Sequence, residues 1–131
     1  MNITKFSRDR MMLSATRWSV PRGYFDPLFN YLVHGFEPGS FWTAVLCNDF
    51  MRAMQHSHPS NTIDALKSTV GWIQDSFPPG SYGDYSRIKQ WMDLEPHQRR
   101  MALEECRLIY TEQEEVIKGL RGDLSTEPIM Y

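Results

Sequence analysis

The stretch Ser40-Phe41-Trp42-Thr43-Ala44-Val45-Leu46-Cys47-Asn48-Asp49-Phe50-Met51-Arg52-Ala53-Met54-Gln55 decides the fold class. Read as one helix, it is apolar around most of its circumference, interrupted only by Thr43, Asn48, Asp49 and Arg52. A helix of that kind is covered on several sides. In a small domain it is either the central helix or a helix that meets a second subunit. The Asn48-Asp49 pair falls in its middle, where buried polar groups need partners. We read the pair as fixing the packing of the neighbouring turn.

The pattern outward from this stretch is helical. Upstream, Asp26-Pro27 has the form of a helix start, with a capping carboxylate followed by proline at the first position. Gly35 ends that helix, and Glu37-Pro38-Gly39-Ser40 forms a turn. Downstream, His56-Ser57-His58-Pro59 breaks the pattern, and Ser60 or Asn61 opens a third helix. Ile63, Leu66, Val70, Ile73 and Phe77 share its apolar stripe, and Trp72 falls on the opposite side. Pro78-Pro79-Gly80 stops it. A fourth helix is predicted over about 84–93 with Asp84 as its cap, and a fifth over about 96–119. No alternating β-branched run competes. The expectation is an all-α, compact, five-helix bundle-like single domain over 25–122. Residues 1–24 show no sustained period and read as a basic N-terminal arm. Residues 123–131 read as a C-terminal tail.

The arm reading comes from charge. Lys5, Arg8, Arg10, Arg17 and Arg22 against Asp9 alone leave residues 1–24 at +4, so the rest of the chain stands at -6 within a net charge of -2. A basic arm on an acidic body suits an interaction segment. A pI near 6.1 lacks the broad positive field that direct nucleic-acid binding requires. No apolar run approaches the roughly 20 residues of a membrane helix, and no signal peptide is visible. Two cysteines in 131 residues make no disulfide scaffold and fit a reducing compartment.

Aromatic residues make up 13% of the chain, more rings than so small a core is expected to enclose. The excess points to an interface or a ring-lined pocket. The candidate binding residues are Arg17, Trp18, Arg22, Tyr24, Trp42, Trp72, Tyr82 and Trp91. Trp72, lying off its helix's stripe, is expected to line a contact rather than the core.

The run from Gly35 through Phe41-Trp42-Thr43-Ala44-Val45-Leu46-Cys47-Asn48-Asp49-Phe50 resembles a family of small phage-encoded proteins of unassigned function that share a G-x-F-x-x-A-V-L-x-N-D motif. Asn61, Trp72, Tyr82-Gly83 and Trp91 continue the resemblance over about residues 23–92. Trp42 and Cys47 depart from its commoner residues. The resemblance implies origin in a tailed phage or prophage and action in the host bacterial cytoplasm. It carries no activity.

No catalytic constellation assembles from spacing. Cys47 and Cys106 lie on apolar helix faces, where cysteine acts as a small hydrophobe. His56 and His58 flank a helix end, and no spacing supplies the other ligands that zinc needs. We therefore expect neither metal nor cofactor. Gly80-Ser81-Tyr82-Gly83-Asp84 reads as a linker. Glu104, Glu105, Glu112, Glu114 and Glu115 read as a solvated helix face. The expected function is non-enzymatic: a phage accessory protein that binds and inhibits or redirects a host protein, possibly a defence protein. The alternative is a sponge for a nucleotide signal, since stacked rings and arginines suit a purine and its phosphates. The surplus apolar surface over 41–54 also predicts a homodimer or higher oligomer.

Overall fold

A computed structural model describes residues 3–119 and the pair Leu124–Ser125. The described residues are mostly helical, as expected for an all-α chain, but they form eight α-helices rather than five. The helices are α1 (Lys5–Arg17), α2 (Arg22–His34), α3 (Ser40–Leu46), α4 (Phe50–His56), α5 (Ile63–Ser76), α6 (Tyr85–Asp93), α7 (Pro96–Glu105) and α8 (Glu112–Ile117). A 3-10 turn at Pro79–Ser81 joins α5 to α6. Ile3–Thr4 pairs antiparallel with Leu124–Ser125, with Ile3 opposite Ser125. Of the C-terminal segment read as a tail, that pair is the described part; residues 123 and 126–131 lie outside the described residues.

Residues 5–17 of the segment read as an arm form helix α1. Thr4 caps α1 by accepting from the Ser7 amide at 3.1 Å. The buried face of α1 is Ser7, Met11 and Ala15. These stand at helical spacing, but only Met11 is large and apolar. Phe6 and Leu13 point outward. An amphipathic pattern is thus missing from the sequence although the helix packs against α5. The basic residues also engage the body. Arg10 donates to the Arg107 carbonyl at 3.0 Å and stands 4.9 Å from the centre of the Tyr110 ring. Arg8 lies over Phe29.

Two predicted long helices are each broken in two by the same device. At Asn48 (φ +60°) and at Arg107 (φ +65°) the chain enters the left-handed region. Around Asn48, the Asp49 amide bonds back to the Ala44 carbonyl and the Asn48 amide to the Val45 carbonyl. Around Arg107, the Leu108 amide bonds to Leu103 and the Arg107 amide to Glu104. Ser19 (φ +60°) ends α1 in the same way, with Val20 bonded to Ala15 and Ser19 to Thr16. This is the Schellman arrangement that closes helices, usually with glycine. Here serine, asparagine and arginine occupy the position, so the breaks carry no glycine signal. Asp49 is accordingly not a mid-helix group: it caps α4, accepting from the Arg52 amide at 3.3 Å.

Other boundaries shift by identifiable causes. Helix α2 starts at Arg22 and carries Pro27 inside it, so Asp26 is not its cap. Asp26 instead stands 3.9 Å from Arg22, one turn before it. Gly39 stands at the start of α3, and Thr62 caps α5 in place of Ser60 or Asn61. Asp84 caps α6 as read, at 2.9 Å from the Arg87 amide. Gly35 ends α2 at φ +69°, and a Cβ there would fall 2.8 Å from the Arg99 guanidinium. That guanidinium is buried and donates to the carbonyls of Val33 and Leu94, tying together the ends of α2 and α6.

The core is built of rings. Trp72, Trp91, Tyr31, Phe25 and Phe29 are all buried. Trp72 meets Phe77 edge-on at 4.8 Å, and its indole N–H donates to the Ser14 hydroxyl at 3.0 Å. Trp91 donates to the Tyr31 carbonyl at 3.1 Å, and the Tyr31 hydroxyl donates to the Ser81 carbonyl at 2.7 Å. Each polar edge finds a partner, which is what allows these large rings to be buried. The acidic face is also partly interior. Glu115 is fully buried against the Arg100 guanidinium. Ser7 donates to Glu115 at 3.4 Å, and Glu112 and Glu104 approach Arg100 at 3.3 and 3.6 Å. This network joins α1, α7 and α8.

Candidate interaction groove

Helices α3, α4 and α5 enclose an open groove of about 490 Å³. Phe41, Ala44 and Val45 of α3 form its floor; Phe50, Ala53 and Met54 of α4 form one wall; Ile63, Leu66 and Val70 of α5 form the other. The walls are unusually exposed for apolar side chains. Phe50 is 69% accessible and Ile63 65%, with Met54 and Val70 also exposed and Met51 beside them at 77%. Contiguous exposed apolar surface of this kind marks interaction sites in soluble proteins. Lys67 and Asp49 are the charged groups at the rim.

The groove is set by the elements behind it. Phe41 meets Trp42 edge-on at 4.8 Å, and Trp42 meets Tyr24 at 5.1 Å, so the floor rests on α2 through three rings. The Tyr24 hydroxyl donates to Asn61 at 2.7 Å, and Asn61 donates to Ser57 at 3.1 Å. These bonds hold the loop between α4 and α5, and with it the groove's width at that end. At the other end Gly71 lets the Trp18 indole lie directly on α5: a Cβ at Gly71 would fall 2.5 Å from that ring. Trp18 remains partly exposed and extends the apolar surface past the groove.

The predicted binding residues divide accordingly. Trp18, Tyr24 and Trp42 stand at or behind the groove. Arg17 and Arg22 are exposed, with Arg22 near Asp26. Tyr82 is half-buried away from the groove lining. Trp72 and Trp91 are core residues, at 0% and 2% accessibility, which corrects the expectation that Trp72 lines a contact. The stripe assigned to the core of α5 is divided as well: Ile73 is buried, whereas Ile63 and Val70 are exposed. The residues missed as site candidates are Phe50, Met51, Met54, Ile63 and Val70. The signal for Phe50, Met51 and Met54 was present in the surplus apolar circumference over 41–54, whereas Ile63 and Val70 sat on the stripe read as the core face of their helix.

A second open cavity, about 510 Å³, lies between Pro78–Gly80, α6 and α7, lined among others by Trp91, Leu94, Ala102, Glu105 and Cys106. None of the large exposed apolar side chains borders it, whereas four border the groove. The groove is therefore the stronger candidate.

The chemistry available elsewhere is limited. Burial pushes the Cys47 thiol up to about 11, with the carboxylates of Asp84 and Asp49 adding to the effect. Burial also raises the Cys106 thiol. Neither is in the electropositive setting that generates a thiolate. Among the described residues no group of three or more His, Cys, Asp or Glu could hold a metal ion. His58 bonds locally, with Nδ1 2.7 Å from the Ser60 hydroxyl. No helix of the described residues is long and apolar enough to cross a membrane. No family model, curated protein or solved structure matches the chain.

Proposed function

We propose that this chain is a non-enzymatic interaction protein whose α3–α4–α5 groove receives an apolar helical segment of a partner protein. The observation that supports it is the groove itself, two helical walls with an apolar floor and exposed apolar rims. A slot between two helices suits a third helix, which seats side chains at i, i+3, i+4 and i+7. With the phage resemblance, the partner is a protein of the host bacterium, and the consequence of binding is its inhibition or redirection.

A nucleotide sponge has less support. The rings that would stack on a purine, Trp42, Trp72 and Trp91, are buried, and Arg99 and Arg100 are buried in contacts with the fold's own carbonyls and carboxylates. The test is capture from host lysate with the wild-type chain and with a Phe50→Ser/Val70→Ser double variant. A partner that is retained by the wild type and lost by the folded double variant supports the groove. A partner held equally by both overturns it. Calorimetry against a panel of cyclic nucleotides checks the sponge. Sedimentation of both proteins checks whether a second copy of the chain occupies the groove instead.

A further inference from the structure

The polar groups set among the groove's apolar lining are Asn48, Asp49, Lys67 and Gln74. Asp49, the carboxylate of the set, is already engaged. Its oxygens accept from the Arg52 amide at 3.3 Å and from the Tyr85 hydroxyl at 2.9 Å, and the Arg52 guanidinium lies 3.6 Å away. The side chains of Asn48, Lys67 and Gln74 make no hydrogen bond or ion pair among the described residues. The groove thus holds one cation and two amides unengaged, and no carboxylate.

Lys67 stands within the apolar lining rather than outside it. Ile63 and Gly71, one turn to either side of it on α5, line the groove, and so does Val70. Asp64 and Asp75, the carboxylates of α5, do not line it. A helix seated in the slot therefore covers the Lys67 stem and brings its own flank against the ammonium. A cation covered without an anion loses hydration for no return, and a facing cation adds repulsion. A carboxylate on the occupant removes both costs. Gln74 stands two turns further along α5, about 10 Å from Lys67, where its amide can donate to a second acceptor on the same occupant.

We propose that the segment received by the groove is an acidic amphipathic helix of the partner protein, with an Asp or Glu on the flank of its apolar face that pairs with Lys67. The lining of α5 from Ile63 to Gln74 is roughly 16 Å long, which matches about three turns of such a helix. The proposal rests on the groove reading and adds to it the charge of the partner.

The probes are two synthetic helical peptides of identical composition, each with leucines at i, i+3, i+4 and i+7. One carries its glutamates on the flanks of the leucine stripe, the other on the opposite face. Their net charge is equal, so only the placement of charge differs. Fluorescence anisotropy with the full chain should show the flank peptide binding roughly three- to fivefold tighter at low salt, an advantage that fades as salt rises. Lys67→Gln should make the two peptides equal, and Lys67→Glu should reverse their order. Lys67 is exposed, so neither change threatens the fold. Equal binding of the two peptides by the wild type overturns the proposal, as does a preference that survives Lys67→Glu. Phe50→Ser/Val70→Ser then shows which reading has failed. If that variant loses both peptides, the groove stands and only the partner's charge is wrong. If it binds both as the wild type does, or the wild type binds neither, the groove reading falls and takes this proposal with it. Sedimentation in which the wild type pairs with itself and the double variant does not also overturns it, in favour of a second copy of the chain.

Discussion

The ring-packed body and the α3–α4–α5 groove draw on the same kinds of side chain and use them in opposite ways. In the body, Trp72, Trp91 and Tyr31 are enclosed, and each polar edge is matched: Trp72 to Ser14, Trp91 to the Tyr31 carbonyl, Tyr31 to the Ser81 carbonyl. In the groove, Phe50, Met54, Ile63 and Val70 are left facing solvent. Helix α5 belongs to both regions, with Trp72 and Ile73 turned inward and Ile63 and Val70 outward. A chain that encloses Trp72, Trp91 and Tyr31 while leaving Phe50, Met54, Ile63 and Val70 exposed does not lack covering material. The exposed face is a surface kept open, consistent with the proposed interaction role.

The largest effect that would break this contrast is in the body. Trp72→Ala should cost about 3–5 kcal/mol, as large-to-small changes of core aromatics do, and abolish the cooperative unfolding transition in urea at ordinary temperature or shift it far down. A variant that keeps near-wild-type stability would return Trp72 to the surface role first assigned to it. Next is Arg100→Met. It leaves Glu115 buried without its principal cation, which should cost about 3 kcal/mol or more by the same measurement. A neutral result would mean that the α1–α7–α8 network carries little of the body's stability.

A smaller effect concerns His34, half-buried between Phe29 and Phe36. Burial pushes its pKa down to about 4, with the nearby Arg99 guanidinium acting in the same direction. The folded state therefore favours neutral imidazole, while the unfolded chain takes up a proton from about pH 6.5 downward. The unfolded state binds more protons in that window, so stability falls as pH drops from about 6.5 to about 4. His34→Gln should flatten that part of the stability profile, and an unchanged slope would place its origin in another group.

The smallest effect on stability belongs to the groove and sharpens the contrast most. Phe50→Ser/Val70→Ser alters exposed side chains and should shift stability by no more than about 0.5 kcal/mol per site while lowering the binding of an apolar-surface dye. Strong destabilisation would show that the groove is part of the core after all.

The sequence by itself determined the helical class, the glycine stop at Gly35, the cap at Asp84, the proline break after α5 and the surplus of apolar surface over 41–54. These are local properties: a capping oxygen, a missing N–H or a glycine acts within a few residues of itself, and apolar excess is a count. What the tertiary structure decided is everything that depends on which neighbour arrives. Helix α1 has no legible stripe because its buried positions include Ser7 and Ala15, chosen by the close approach of other elements rather than by hydrophobicity. The breaks at Asn48 and Arg107 carry no glycine, because left-handed turns there are held by backbone hydrogen bonds rather than by residue preference. Trp72 and Val70 are both apolar at helical spacing, and periodicity ranks Val70 as the core residue. Only the packing of Phe25 and Phe77 on one side of α5, and of the open slot beside α4 on the other, reverses that order.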